Sequence, residues 1–157
     1  MISTNKLIAL VVAVLLLLNF SNLTAQTRSA NHFGARIGVY TDGSDLFLGG
    51  DYLTPINGDI DFNPNIEIIF LDGGSFLTFN FDALYNFPRN RNTTSWAGGG
   101  LGILYVDPDR GDSHTDLGVN LLGGLGFITS GNLLPYLQAK IILSDNSNFV
   151  LGFGLRF

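Results

Sequence analysis

The last nine residues, Phe149-Val-Leu-Gly-Phe-Gly-Leu-Arg-Phe157, are the stretch that decides the fold class. Every second residue from Phe149 to Phe157 is Phe or Leu, and the residues between them are Val150, Gly152, Gly154 and Arg156. A period of two indicates a β-strand, because successive side chains point to opposite faces. One face is therefore continuously apolar. The other is mostly glycine, which is too small to build the core of a soluble protein.

The composition extends this conclusion to the whole chain. Only 13% of the residues are charged, whereas soluble domains carry about 25%. The mean hydropathy is positive. After Leu18, however, no apolar run approaches the roughly 20 residues of a membrane helix. A closed β-barrel is the other structure that satisfies its backbone in lipid, so the composition predicts an all-β barrel with its apolar face outward.

Eight alternating segments predict the strands. They cover 32–41, 45–54, 60–71, 74–87, 94–106, 116–128, 132–144 and 148–157, with turn signals such as Asp42-Gly43 and Asp72-Gly73 between them. Most have about the length that a tilted membrane strand needs, with some overhang. We therefore expect an eight-stranded antiparallel up-and-down transmembrane β-barrel. An even number of strands leaves both termini on one side, which we interpret as the periplasm.

The fourth segment assigns the two faces most clearly. Phe79 and Phe81 fall on the outward phase, whereas Asn80 and Asp82 fall on the inward phase. A soluble lipocalin-like barrel is the structural alternative, and it would reverse these faces. Trp96 falls on the inward phase of the fifth strand. Either a bulge turns it toward the membrane interface, or it plugs the lumen near the periplasmic mouth.

The N-terminus is typical of a secretory signal. Lys6 precedes the apolar run Leu7–Leu18, and Ala25 supplies a small residue at a cleavage site. We expect a signal peptide over residues 1–25, a short periplasmic leader over 26–31 and the barrel over 32–157. A single membrane anchor is the alternative, but the run is short for one. The absence of cysteine excludes a lipoprotein anchor, disulfides and thiolate metal sites.

The C-terminal strand resembles the β-signal that ends bacterial outer-membrane barrels, a hydrophobic alternation that closes on Phe. Over residues 32–157 the chain resembles the small OmpA/OmpX-like bacterial outer-membrane β-barrel family. It departs from OmpX in lacking long protruding outer strands. The resemblance implies a monomer in the outer membrane of a Gram-negative bacterium, in contact with lipid and lipopolysaccharide. It also implies export with periplasmic chaperones and assembly by the barrel assembly machinery, through a signal formed by Phe149, Leu151, Phe153, Leu155 and Phe157.

Six charges fall on the inward phase of the predicted strands: Arg36, Asp51, Glu67, Asp82, Lys140 and Arg156. Isolated charges in a low-dielectric interior are costly, so the balance of three acids and three bases indicates pairing. The Asp42-Gly43 register makes Arg36 and Asp51 diagonal neighbours, and Glu67 and Lys140 lie at similar heights. Arg156 lies near the periplasmic mouth, where water is an alternative partner.

The width of the barrel favours one function over two others. Eight strands leave an interior just wide enough for side chains to fill. We therefore expect a lumen plugged by paired charges and a structural, membrane-integrity or surface role, with no cofactor or metal. A narrow channel or small-ligand conduit is the alternative. A lipid-modifying barrel enzyme is the third class.

Catalysis and ligand binding find little support in the sequence. The two histidines are His32 and His114, and Ser113 next to His114 would point to the opposite face of a strand. The acidic loop Asp107–His114 lacks the spacing of a calcium hand, so we interpret it as solvated; bridging of divalent cations at a lipopolysaccharide surface is the alternative. The glycine clusters lie inside strands and do not form nucleotide loops. A net charge of -5 argues against nucleic acid.

Overall fold

The computed structural model describes residues 31–71, 74–108, 112–145 and 147–157. Eight strands follow one another: β1 (His32–Tyr40), β2 (Asp45–Asn57), β3 (Ile60–Leu71), β4 (Gly74–Asn86), β5 (Thr93–Pro108), β6 (His114–Phe127), β7 (Leu134–Leu143) and β8 (Asn148–Arg156). The predicted signal peptide and nearly all of the predicted leader lie outside the described residues. Within those residues, no helix has the length and apolarity to cross a membrane.

The strands form one closed sheet. Each strand pairs antiparallel with the next along the chain, and β8 pairs with β1 to close the barrel. The predicted eight-stranded up-and-down topology is confirmed. The largest difference from the predicted bounds is in β2, which continues to Asn57. β5 and β6 also extend further toward the loop between them, where Val106 still pairs with His114.

The turns keep the predicted registers. Tyr40 pairs with Asp45, and Leu71 pairs with Gly74, as the Asp42-Gly43 and Asp72-Gly73 signals require. In the first turn, however, the left-handed residue is Ser44, with φ 58°, rather than the glycine. The predicted pairing of β1 with β2 is therefore present, although a different residue of the turn adopts the left-handed conformation.

The two faces of the sheet are also as predicted. Phe79 and Phe81 are 40% and 47% exposed, whereas Asn80 and Asp82 are 1% and 0% exposed. Large apolar side chains therefore cover the outside and polar side chains fill the inside. This arrangement contradicts the soluble lipocalin-like alternative, because such a barrel would bury its apolar face.

The lumen also contains apolar and aromatic side chains besides the predicted charges. They form two buried clusters. The upper cluster lies toward the turn at residues 41–44 and comprises Tyr40, Phe47, Ile69, Leu104, Ile142 and Val150. The lower cluster lies toward the start of β1 and the end of β8 and comprises Leu53, Leu84, Trp96, Leu122 and Tyr136. Trp96 thus plugs the lumen. No bulge turns it outward, because the register of β5 is continuous on both sides.

Candidate functional site

The candidate site is the polar layer of the lumen, between the upper and lower clusters. All six predicted charges lie in it, and each is 5% exposed or less. The strand period explains this placement, because every one of them has the inward phase of its strand. The layer contains three carboxylates, and each of them is the centre of a separate group of partners.

Glu67 is the first centre. Lys140 Nζ donates to both of its carboxylate oxygens, at 2.9 and 2.8 Å, so the predicted Glu67–Lys140 pair is present. Arg36 Nη2 lies 2.7 Å from Glu67 Oε1. The hydroxyl of Tyr40 donates to Oε2 at 2.5 Å and that of Thr78 at 3.2 Å. One carboxylate therefore compensates two buried cations.

Asp51 is the second centre, and its partner differs from the prediction. Arg156 Nε donates to Asp51 Oδ2 at 3.0 Å, and the Tyr136 hydroxyl donates to Oδ1 at 2.9 Å. The predicted Arg36–Asp51 pair is wrong, because Arg36 extends to Glu67 instead. A Cβ at Gly49, which lies directly opposite Arg36, would be 3.3 Å from Arg36 Cγ. The arginine therefore crosses the bare glycine to the strand beyond it.

Arg156 is not solvated, although it lies near the chain terminus. It is 2% exposed, and its guanidinium carbon lies 4.5 Å from the ring centroid of Tyr136 and 5.0 Å from that of Trp96. Cation–π contacts at these distances are stabilising, and more so away from water. Arg156 is thus held by one carboxylate and two aromatic rings.

Asp82 is the third centre, and it is held by amides. Asn65 Nδ2 donates to Asp82 Oδ2 at 2.8 Å, and Asn120 Nδ2 donates to Oδ1 at 2.9 Å. Asn65 also accepts a hydrogen bond from Arg36, which connects this centre to Glu67. Both oxygens of all three carboxylates therefore accept hydrogen bonds. The buried polar atoms that have no hydrogen-bond partner within the described residues are on other groups: Arg36 Nε, Arg36 Nη1, Arg156 Nη2, Asn63 Oδ1 and Asn120 Oδ1.

Asn63 joins the polar layer to the wall of the barrel. Its neighbour Pro64 lies in the middle of β3 and has no N–H to donate to β2. The register of β2 and β3 places Pro64 across from Tyr52. Asn63 Nδ2 donates to the Tyr52 carbonyl at 3.1 Å and also to Asp51 at 3.0 Å. A side chain of the lumen thus supplies a donor where the strand lacks one.

Residues considered for catalysis or metal binding lie apart from this layer. His114 is exposed at the start of β6, with its Nε2 3.7 Å from Asp116 Oδ2. Within the described ranges, no group of three His, Cys, Asp or Glu side chains is arranged to hold a metal ion. In the predicted acidic loop Asp107–His114, the side chains of Asp107 and Asp109 are outside the described residues.

The closed sheet, the apolar exterior and the polar layer together define the class of small transmembrane β-barrels. No family model matches the chain, and no curated protein is similar to it in sequence. Solved structures of this class do match. The N-terminal β-barrel domain of Pseudomonas aeruginosa OprF is 14% identical, with a TM-score of 0.73 over 84% of this chain and 98% of that one.

Two further outer-membrane structures have the same fold. Neisserial surface protein A is 16% identical, with a TM-score of 0.56 over 80% of this chain and 92% of that one. The Yersinia pestis outer-membrane protein Ail, in a phospholipid bilayer nanodisc, is 17% identical, with a TM-score of 0.51 over 82% of this chain and all of Ail. These matches confirm that the fold is that of the small OmpA/OmpX-like outer-membrane barrels.

Proposed function

We propose that this chain is a closed, non-catalytic barrel of the bacterial outer membrane, with a structural role in membrane integrity or at the cell surface. The observation that carries the proposal is the filling of the lumen. Two apolar clusters bracket a polar layer whose carboxylates are all hydrogen-bonded.

The filling argues against a narrow channel or small-ligand conduit. Conduction of ions needs a continuous water-filled path through the lumen. The side chains of Tyr136, Ile142 and Asn120 are each 0% exposed, so water does not reach them inside the barrel. An eight-stranded barrel holds little beyond its own side chains, which agrees with these values. Ions would have to displace both apolar clusters and break the buried ion pairs between them.

The fold supports the outer membrane as the location. The similar structures are outer-membrane proteins, and the exposed apolar belt of this chain suits lipid. We infer that both termini are periplasmic, that the protein contacts lipid and lipopolysaccharide, and that it is a monomer. Periplasmic chaperones would carry the chain, and the barrel assembly machinery would recognise the alternating strand that ends at Phe157 and insert the barrel.

The test uses the full chain expressed in a Gram-negative host. We expect it in the outer-membrane fraction, migrating differently before and after boiling, and showing no steady conductance in planar bilayers. A matched control is Leu101→Ala, which changes an exposed lipid-facing side chain and should conduct no better. A stable open pore in the unmutated protein would overturn the closed-barrel proposal. Recovery in the cytoplasm or inner membrane would overturn the location.

A further inference from the structure

The seam between β1 and β8 is where the barrel closes. Its register runs from Gly34↔Arg156 to Tyr40↔Val150 and is the shortest of the eight ladders among the described residues. Backbone bonds between Phe33 and Phe157, at 3.1 and 2.9 Å, extend it at one end, and a bond from Thr41 N to the Phe149 carbonyl, at 2.9 Å, extends it at the other. The seam joins the first and last strands of the barrel, so a side chain that crosses it can fix the register in which the barrel closes.

Arg156 is a side chain of β8 that crosses this seam. Its ladder neighbour on β1 is Gly34, and Gly34 in turn pairs with Asp51 on β2. The Arg156 guanidinium passes over Gly34 to reach Asp51 at 3.0 Å. A Cβ at Gly34 would lie 2.3 Å from Asp51 Oδ1 and 3.2 Å from Arg156 Cγ, so the glycine keeps this path open.

The receiving site for Arg156 is built from strands other than β1. Asp51 comes from β2, Trp96 from β5 and Tyr136 from β7. Trp96 and Tyr136 also contact each other edge to face, with ring centroids 5.7 Å apart. Two more glycines make room for the rings, because a Cβ at Gly124 or Gly154 would lie 2.3 Å from Trp96 or Tyr136.

We propose that Arg156 is the closure latch of the barrel: it sets the register of the β1–β8 seam by inserting into the site formed by Asp51, Trp96 and Tyr136. A slip of one residue would turn Arg156 from the lumen to the lipid face. A slip of two residues would carry it about 7 Å from Asp51. Only the native register brings the guanidinium to Asp51, which is tied to β1 through Gly34. The latch is separate from the apolar assembly signal, because it uses the opposite face of the same strand.

Disulfide trapping can test the latch, because the chain has no cysteine of its own. Phe153 pairs with Ile37 across the seam and with Leu137 on the other side of β8. Phe153→Cys combined with Ile37→Cys reports the seam, and Phe153→Cys combined with Leu137→Cys is the matched control. Paired antiparallel residues lie within disulfide range. The full chain is expressed in a Gram-negative host, and cross-links are measured in membranes after oxidation.

We expect Arg156→Met to lower the ratio of seam cross-link to control cross-link by roughly threefold or more, as for loss of a coupled buried pair. Asp51→Asn should do the same without altering β8, so it separates the latch from recognition of the C-terminal sequence. Lys140→Met, which removes another buried lumen charge, should leave the ratio unchanged.

Three results would overturn the latch. They are an unchanged ratio in both Arg156→Met and Asp51→Asn, an equal fall in Lys140→Met, or loss of both cross-links together in Arg156→Met and Asp51→Asn. The last result would mean that Arg156 serves the folding of the whole barrel rather than its seam.

Discussion

Arg36 on β1 and Glu67 on β3 form a 2.7 Å ion pair, although their strands are not adjacent in the sheet. Gly49 on β2 lies between them and pairs with both. The same row of arginine, glycine and carboxylate recurs at Arg156, Gly34 and Asp51 across β8, β1 and β2. Each buried arginine therefore reaches its carboxylate across a glycine on the strand between them.

Gly49→Ala should destabilise the barrel, because a Cβ there would lie 2.6 Å from the Ile66 carbonyl and 3.2 Å from Glu67 Cγ. The expected loss is about 1–3 kcal/mol in free energy of unfolding, as for overpacking of a dense core. The neighbouring outward Gly50 is the matched control, since a Cβ there would meet no heavy atom closer than 3.6 Å. Urea titration of the heat-modifiable band in detergent measures both. Equal losses in free energy of unfolding for Gly49→Ala and Gly50→Ala would contradict the inference that Arg36 needs a glycine at position 49 to reach Glu67.

Glu67→Gln should cost more than Lys140→Met. The first change leaves Arg36 and Lys140 without their shared carboxylate, whereas the second leaves Glu67 paired with Arg36. Breaking a buried pair typically costs about 3–5 kcal/mol, and we expect Glu67→Gln in that range. The double variant should cost less than the sum of the single ones, with a coupling of about 0.5–3 kcal/mol. Additive free energies of unfolding would refute the pair.

Phe81→Arg should destabilise the barrel by about 2–4 kcal/mol, because Phe81 is exposed near the middle of β4 and would place a charge in hydrocarbon. Phe87→Arg is the matched control. Phe87 is similarly exposed but lies just beyond the end of β4, where the cost should be about 0–1 kcal/mol. Unfolding in lipid vesicles gives both values. Photolabelling from lipid that marked Asn80 and spared Phe81 would reverse the faces.

Deletion of Phe157 should reduce the amount of assembled barrel in cells and leave precursor or degradation products in the periplasm. Phe157 supplies two backbone bonds to Phe33 as well as its ring. Phe157→Ala keeps the backbone bonds and removes only the ring, so it isolates the aromatic part of the predicted assembly signal. We expect both variants to assemble poorly. Normal levels of Phe157→Ala would show that the backbone pairing, rather than the aromatic ring, is required.

The alternation in the sequence was sufficient to predict the strands, their faces and the Glu67–Lys140 pair. All of these depend on a period of two and on the height of a residue along its strand. Trp96 follows the same rule, because its inward phase agrees with its position in the lumen.

The Arg36–Glu67 pair and the apolar clusters cannot be predicted from the alternation alone. Direct and diagonal neighbour rules predict Asp51 for Arg36, because they do not include an arginine that reaches across a glycine to the strand beyond. Gly49 was the available signal, since it lies opposite Arg36 in the predicted register. Phe47 and Ile142 have the inward phase, but apolar clusters do not follow from a lumen filled mainly by small and polar residues.

The Asn63–Pro64 pair has a consequence for the order in which mutations can accumulate. Replacement of Asn63 in the present chain would leave the Tyr52 carbonyl without the side-chain amide that now bonds it. Replacement of Pro64 by an ordinary residue would first restore a backbone donor to β3, after which a change at Asn63 would cost the bond to Asp51 but no longer the donor to the Tyr52 carbonyl. Descendants of this chain are therefore expected to lose the proline before the asparagine, and an ancestor is expected to have gained the asparagine first.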